Sequence, residues 1–352
     1  MNAPSKNVTF SNSTLAVTAE NLGPLKQRIL LLGDAGLSAI SPLQASLQKS
    51  VERAKLAPEQ TAIIMLGDNI YANGFPKKSI GQTEFDEEQL EDISHLEAQL
   101  QMARDSNAEM FIVPGNHDWY ANQVDSQANF IKAYAKKYKT NTRFVPFQNN
   151  ANPLPEILYR EGISIVFIDS MWLLKADVNS FELAMRQLEQ LLQQSYQQHP
   201  DNVILISAHH PVETVGPHGG YYTQVGLQLY EYFLELLNGE NVQDLDSAVY
   251  QRLIQRLKVA LSPYKKTVFA AGHEHSLQLF KNDNNFGPQY SLVSGAANSK
   301  KLTGVGINEN SQFASSAEGF FEIDIVENGV LLKAYDIHNN LPVHQQWLWK
   351  TD

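Results

Sequence analysis

The sequence predicts an α/β fold built in layers, and three observations carry that prediction. Short apolar runs of strand length alternate with stretches of helical period from residue 28 to residue 335. Five of the runs end on turn residues that are also metal-ligand types. No internal repeat, low-complexity tract or domain-scale linker breaks the alternation. The expected organisation is therefore a polar leader over residues 1–27 and one domain over residues 28–352.

The elements follow in order. Residues 28–32 form a first strand with Asp34 at its tip, in Gly33-Asp34-Ala35-Gly36. Ser41-Pro42 reads as a cap and first-turn proline, followed by Leu43, Leu47, Val51 and Ala54 at helical spacing. Residues 62–66 form a second strand, which runs into Gly67-Asp68-Asn69-Ile70-Tyr71. A long acidic helix over 85–106 carries Leu90, Ile93, Leu96, Leu100 and Ala103 on one stripe. A third strand, 110–113, ends at Pro114-Gly115-Asn116-His117-Asp118, and residues 129–138 are helical. After a loop over 149–155, a fourth strand (163–168) ends at Asp169-Ser170. A helix over 181–196 carries Leu183, Leu188, Leu191 and Leu192. The fifth strand, 203–207, ends at His209-His210-Pro211. Two helices are expected within 224–237 and 247–261, separated by a surface insertion over 238–246. The sixth strand, 267–271, ends at Gly272-His273-Glu274-His275. A strand at 290–294 and a hairpin of 320–325 with 330–335, turned at Asn328-Gly329, complete the pattern.

Composition narrows the function. The 352 residues carry 27 basic and 38 acidic side chains, a net charge of -11. That sign disfavours a nucleic-acid partner. A small anionic substrate remains compatible, because bound metal ions reverse the local field. The absence of cysteine removes disulfides, thiolate metal sites and cysteine nucleophiles without fixing a compartment. No apolar run approaches the ~20 residues of a membrane span. Residues 1–26 lack the basic start and apolar centre of a signal peptide. Export by that route is thus not expected, unless the signal has already been removed. Asn7-Val8-Thr9 and Asn12-Ser13-Thr14 fit the glycosylation pattern, which a polar leader produces readily by chance.

The five strand ends carry Asp34, Asp68 with Tyr71, Asn116, His209, and His273 with His275. Ligands collect at this edge in open α/β sheets. Taken singly, each residue has an ordinary reading: a Gly-Asp turn, a packed tyrosine, a surface imidazole. Taken together, an oxygen-rich set with three imidazoles suits iron, manganese or zinc and not a closed structural zinc site. Asp68 has an oxygen for each of two ions, the pairing used for in-line phosphoryl displacement. Tyr71 is a hard ligand suited to a trivalent ion. If 273–275 is extended, residues two apart point the same way and both imidazoles reach one site.

The order Gly-Asp, Gly-Asp-Asn-x-Tyr, Gly-Asn-His-Asp, His-x-Pro, Gly-His-x-His resembles the calcineurin-like metallophosphoesterases. Tyr71 narrows the resemblance to the purple acid phosphatases, and most to their small tartrate-resistant type. The likeness spans residues 28–335 and includes Ser294-Gly295-Ala296-Ala297-Asn298. It implies a four-layer α-β-β-α sandwich with a di-metal site at the carboxyl ends of the strands. It also implies Fe(III) on Asp34, Tyr71 and His275, and Fe(II), Zn(II) or Mn(II) on Asn116, His209 and His273, with Asp68 bridging. His117 is expected to act beside the ligands, and His218 to assist the leaving group. Two departures stand out: His210 occupies a position where another residue is usual, and Ala35 replaces a larger one, so the substrate rim is expected to differ. The long segment 80–106 is expected to reshape access.

The activity implied is acid phosphatase-like hydrolysis of a small phosphomonoester by a metal-activated water. A phosphodiesterase or nucleotide pyrophosphatase would use the same ligands, as would a phosphoprotein phosphatase. A degenerate scaffold is the non-enzymatic rival, and it predicts missing ligands. The natural substrate, second metal, oligomeric state and compartment are not readable from the residues.

Overall fold

The computed structural model describes residues 9–12, 22–147, 152–221 and 244–351. Its strands are β1 Thr9–Ser11, β2 Leu25–Leu32, β3 Thr61–Leu66, β4 Glu109–Val113, β5 Thr142–Phe144, β6 Glu156–Arg160, β7 Ile163–Phe167 and β8 Val203–Ser207. They continue as β9 Thr267–Ala271, β10 Leu277–Lys281, β11 Tyr290–Ser294, β12 Ser311–Ser315, β13 Gly319–Val326, β14 Gly329–Asp336 and β15 His344–Lys350. The described helices are α1 Ala45–Lys55, α2 Glu87–Ser106, α3 Asn116–Tyr120, α4 Val124–Tyr138, α5 Ser170–Lys175, α6 Val178–Gln198 and α7 Ala248–Leu261.

The strands form two sheets, ordered β15-β14-β13-β2-β3-β4-β5 and β1-β12-β10-β11-β9-β8-β7-β6. Strand alternation explains how they stack. In the first sheet Ile29, Leu31, Ile64 and Phe111 point to one side; in the second, Ile165, Phe167, Leu205 and Val268 do the same, and these residues share one core. Their neighbours Leu30, Leu32, Ile63 and Met65 point outward, against Leu47 and Val51 of α1 and Leu96 and Leu100 of α2. Val166, Ile204, Ile206 and Phe269 pack outward on Leu188 of α6 and Leu257 of α7. The result is the four-layer α-β-β-α sandwich. Strands covered on both faces must be apolar at every position, which is why they read as unbroken hydrophobic runs.

Local chemistry sets several helix ends. Asp86 closes a capping box on α2: its side chain accepts from Gln89 N, and Gln89 Oε1 accepts from Asp86 N. Asp177 caps α6 through Asn179 N and Ser180 N, so that helix starts before residue 181. α4 likewise begins at Val124 rather than 129. The helix expected from Ser41-Pro42 begins only at Ala45. A turn closed by Gln44 N on the Ala39 carbonyl, with a bridge between Ile40 and Leu43, holds residues 40–43 out of it. Leu90 and Leu183, placed on the buried stripes by periodicity, are exposed. The helix expected within 224–237 lies outside the described residues, as do 149–151 of the expected loop and most of the leader. Thr9–Ser11 of that leader pairs with β12 as an edge strand. No described helix is long and apolar enough to cross a membrane.

One buried ionic cluster anchors the first sheet. Arg28, Arg53 and Lys333 surround Glu322 and Asp324. Burial opposes the charge on Glu322, but Arg53, Lys333 and Arg28 outweigh it and hold this carboxyl at about 2. A depressed carboxyl contributes stability above its ordinary value of 4.5, and the contribution is lost as pH falls from there toward 2. Glu322→Ala is expected to cost about 3–5 kcal/mol at neutral pH, read as a lower urea midpoint, because Arg53 loses its partner and Arg28 and Lys333 are left to share Asp324.

Candidate metal centre

Parallel pairing sets the carboxyl ends of β2, β3 and β4 on one rim and those of β7, β8 and β9 on the other. The rims meet through backbone: Gly33 N donates to the Ser294 carbonyl at 2.7 Å, and Ala297 N to that of Gly33 at 3.3 Å. Asp34, Asp68, Asn116, His209 and His273 sit within three residues of these strand ends and are buried. Three of them turn sharply, with φ of 62° at Asp34, 53° at Asp68 and 70° at His273. Such angles are uncommon for non-glycine residues and cluster where function over-determines the backbone.

The donors fall into two adjoining groups. In the first, Tyr71 Oη donates to Asp34 Oδ1 at 2.9 Å and lies 3.2 Å from His275 Nε2, which is 3.4 Å from Asp34 Oδ1. In the second, His209 Nε2 lies 2.8 Å from Asn116 Oδ1, 3.2 Å from His273 Nδ1 and 3.4 Å from Asp68 Oδ1. All seven expected ligands therefore converge. Asp34, Asp68 and His209 offer ligand atoms all within 4.8 Å of one another, and so do His209, His210 and His273.

The donor set fits metal ions on three counts. Ligands ~2.0–2.2 Å from an ion stand roughly 2.8–3.4 Å apart, which covers the distances in both groups. The rings are aimed from behind: His209 Nδ1–H donates to the Leu66 carbonyl and His275 Nδ1–H to that of Lys301, both at 2.8 Å. Donating through Nδ1, His209 turns Nε2 toward Asn116 Oδ1 and Asp68 Oδ1. Asn116 commits its amide N–H to Tyr120 Oη at 2.7 Å. Three acceptors facing one another are what a cation satisfies.

The protonation states agree. Burial, then the imidazoles of His218, His210 and His209, hold His273 well below the usual histidine range. Burial resists the charge on Asp34, but His275 and Tyr71 keep its carboxyl low. Burial and the Asp34 and Asp68 charges push the Tyr71 phenol far up, so this ligand would give up its proton only to a strong cation.

His117 and His218 flank the ligands. His117 donates Nδ1–H to the Ala72 carbonyl, leaving Nε2 3.8 Å from Asp68 Oδ2. His218 rides on the turn Pro217–Gly219, stacked on His273 with centroids 4.1 Å apart. Its Nδ1 meets Asp244 Oδ1 at 3.2 Å. Burial opposes the charge on His218, but Asp244 and Glu274 outweigh it and raise its pKa.

Two sequence expectations change here, the extension of 273–275 and the place of Ala35 at the rim. The segment 273–275 is not extended: His273 turns at positive φ, its ring meets His209, and His275 meets Asp34 and Tyr71. Glu274 points inward, is buried, and accepts from His218 N at 2.8 Å. Ala35 is core rather than substrate rim. Asp244, in the stretch expected as a surface insertion, reaches His218 while Asp246 beside it is exposed. His210, whose role the sequence leaves open, is buried with Nδ1 on Ser170 Oγ at 2.9 Å and, among the described residues, no partner at Nε2.

Sequence reasoning also passed over Asp118. It accepts from Gly115 N at 2.7 Å, Gln127 Nε2 at 2.8 Å and Asn69 Nδ2 at 3.0 Å, tying the turns after β3 and β4 together. Burial and the neighbouring Asp68 charge push Asp118 up to about 6 despite these donors. Its place in Gly115-Asn116-His117-Asp118 was visible, but which groups it would bridge was not.

Residues 27–277 match the family model described as Calcineurin-like phosphoesterase, and the chain belongs to that family. Among curated proteins it is similar to tartrate-resistant acid phosphatase type 5 of Oryctolagus cuniculus, 25% identical over 247 residues. That match covers 67% of this chain and 61% of the rabbit protein. Among solved structures it is similar in fold to GAP50, described as the anchor in the inner membrane complex of Plasmodium. The TM-score is 0.60 at 17% identity, covering 94% of this chain and 90% of that one. PhoD gives a TM-score of 0.52 at 10% identity, with coverages of 94% and 73%.

A Cβ on Gly115 would stand 2.2 Å from Asp68 Oδ1 and 2.3 Å from Asp68 N. Gly115→Ala is therefore expected to displace the Asp68 carboxylate. The check is elemental analysis after metal loading: bound metal should fall to half or less while far-ultraviolet circular dichroism stays unchanged.

Proposed function

We propose that this protein is a di-metal phosphomonoester hydrolase of the purple acid phosphatase kind. The observation that carries the reading is the meeting of two donor groups, one phenol-bearing and one imidazole-rich, on either side of Asp68. Asp34, Tyr71 and His275 would hold Fe(III). Asn116, His209 and His273 would hold Fe(II), Zn(II) or Mn(II), with Asp68 shared. Two such ions supply Lewis acidity toward phosphoryl oxygens and a water acidic enough to attack near neutral pH.

The chain's own groups supply the rest. His117 Nε2 faces the Asp68 side of the site, where a phosphoryl oxygen would lie. His218, with Nδ1 toward Asp244, has Nε2 left to protonate the departing alkoxide. No serine, threonine or cysteine stands among the strand-end donors, so water is the nucleophile and no phosphoenzyme forms. The rabbit acid phosphatase supports the monoester reading. The two solved neighbours support the fold alone. An intact donor set weighs against a scaffold without activity. Diesters and phosphoproteins are the competing substrate classes for the same ligands.

The primary experiment pairs metal analysis with a phosphoester panel. Release from p-nitrophenyl phosphate should exceed that from bis-p-nitrophenyl phosphate and from phosphopeptides at least tenfold, and chelation should abolish it. Preference for the diester or a phosphopeptide would overturn the monoester reading. Tyr71→Phe should remove a visible charge-transfer band from the iron-loaded protein; a band that survives refutes this ligand.

The His218 role has a pH signature. A general acid with a raised pKa is active below that value and fails as pH rises through it. Asp244→Asn removes one of the contacts that raise it, so the alkaline limb of kcat should move to lower pH. His218→Asn should lower kcat roughly 10²-fold or more, least for esters whose leaving group is already acidic.

A further inference from the structure

We propose that Lys301 is a substrate-binding cation that favours dianionic phosphomonoesters over monoanionic phosphodiesters; the inference rests on the phosphoester-hydrolase reading above. Lys301 ends the short turn Ser299–Lys301, which Asn298 caps by accepting from Lys300 N at 2.8 Å. Its carbonyl accepts from His275 Nδ1, and Thr303 N donates back to the His275 carbonyl at 3.0 Å. The backbone of Lys301 is therefore locked to a ligand of the centre.

The side chain turns back over the same site. Its ammonium stands 3.9 Å from the centroid of the Tyr71 ring, and His117 packs edge-on to that ring at 4.5 Å. The ion pairs of the site run Asp68–His117, Asp68–His209, Asp34–His275 and Asp244–His218. Among the described residues none involves Lys301, and its three N–H donors have no hydrogen-bond acceptor. In a chain of net charge -11, an ammonium held beside a metal centre with no carboxylate on it is a vacant anion contact. An aromatic face satisfies the cation only in part.

The charge arithmetic gives the selectivity. A fixed single charge attracts a dianion about twice as strongly as a monoanion at the same distance. Above their second pKa, about 6, phosphomonoesters carry the second negative charge and diesters do not. Substitution at Lys301 leaves its carbonyl, and with it the hold on His275, in place.

The test compares the metal-loaded protein with Lys301→Met, Lys301→Gln and Lys301→Arg. Rates are measured on p-nitrophenyl phosphate and bis-p-nitrophenyl phosphate, and inorganic phosphate binding by calorimetry. Met and Gln should raise the monoester KM about tenfold with kcat within about threefold, and weaken phosphate binding about tenfold, a loss that a single removed charge contact accounts for. Diester KM should move less than about threefold. Arg should restore most of the loss, and metal content should match the parent in every variant. Equal losses on both esters, an unchanged monoester KM, or loss of bound metal would overturn the proposal. If the parent protein cleaves neither ester, the hydrolase reading falls. The phosphate titration then decides Lys301 alone, with unchanged affinity in Met and Gln as the refuting result.

Discussion

The structure depends on two buried carboxylates at the seam where its sheets meet. Asp34 leaves one sheet, yet its Oδ2 accepts the backbone N–H of His273 from the other at 2.8 Å. Asp68 accepts His117 N at 3.0 Å. Charged groups this deep are costly unless hydrogen-bonded and paired. Here backbone donors hold one lobe of each, and the remaining oxygens face imidazoles and a phenol. That requirement ties strand ends from two sheets into one pocket.

The surrounding architecture follows from keeping this pocket close-packed. His209 reaches across to the Leu66 carbonyl, so the ring is oriented by the opposite sheet. Gly115 and Gly67 stand where a side chain would strike Asp68 or the His209 ring. The left-handed turns at Asp34, Asp68 and His273 aim these side chains back over the strand ends. Their cost is borne by the two apolar cores and the sheet-to-sheet core beneath, which leave the strand ends little freedom to relax. The Glu322–Asp324 cluster lies within the same first sheet, on β13 beside β2.

Much of this was legible in the chain. The fully buried strands β3, β4, β7, β8 and β9 were readable because burial on both faces demands unbroken apolar runs. The donors were readable because turn residues with ligand chemistry followed each run. The edge strands β1, β5, β6 and β15 were not, since an edge needs neither length nor uniform apolarity. Ser41-Pro42 misled because a local cap signal lost to a turn closed by Gln44 and Ala39. The inward Glu274 was hidden by assuming extension across a residue that in fact turns at positive φ.

By itself, then, the sequence determined the layered α/β class, the positions of the buried strands along the chain and the donor-type side chains that follow them, because each depends on local pattern and residue type. Tertiary structure alone decided which donors share a group, that Asp118 braces two turns, that Glu274 and Asp244 attend His218, and that Lys301 lies over Tyr71. Those facts come from strand ends in different sheets and from backbone carbonyls up to 143 positions away in the chain. No local pattern records which distant carbonyl will orient a ring, because that is set only when the two sheets pack.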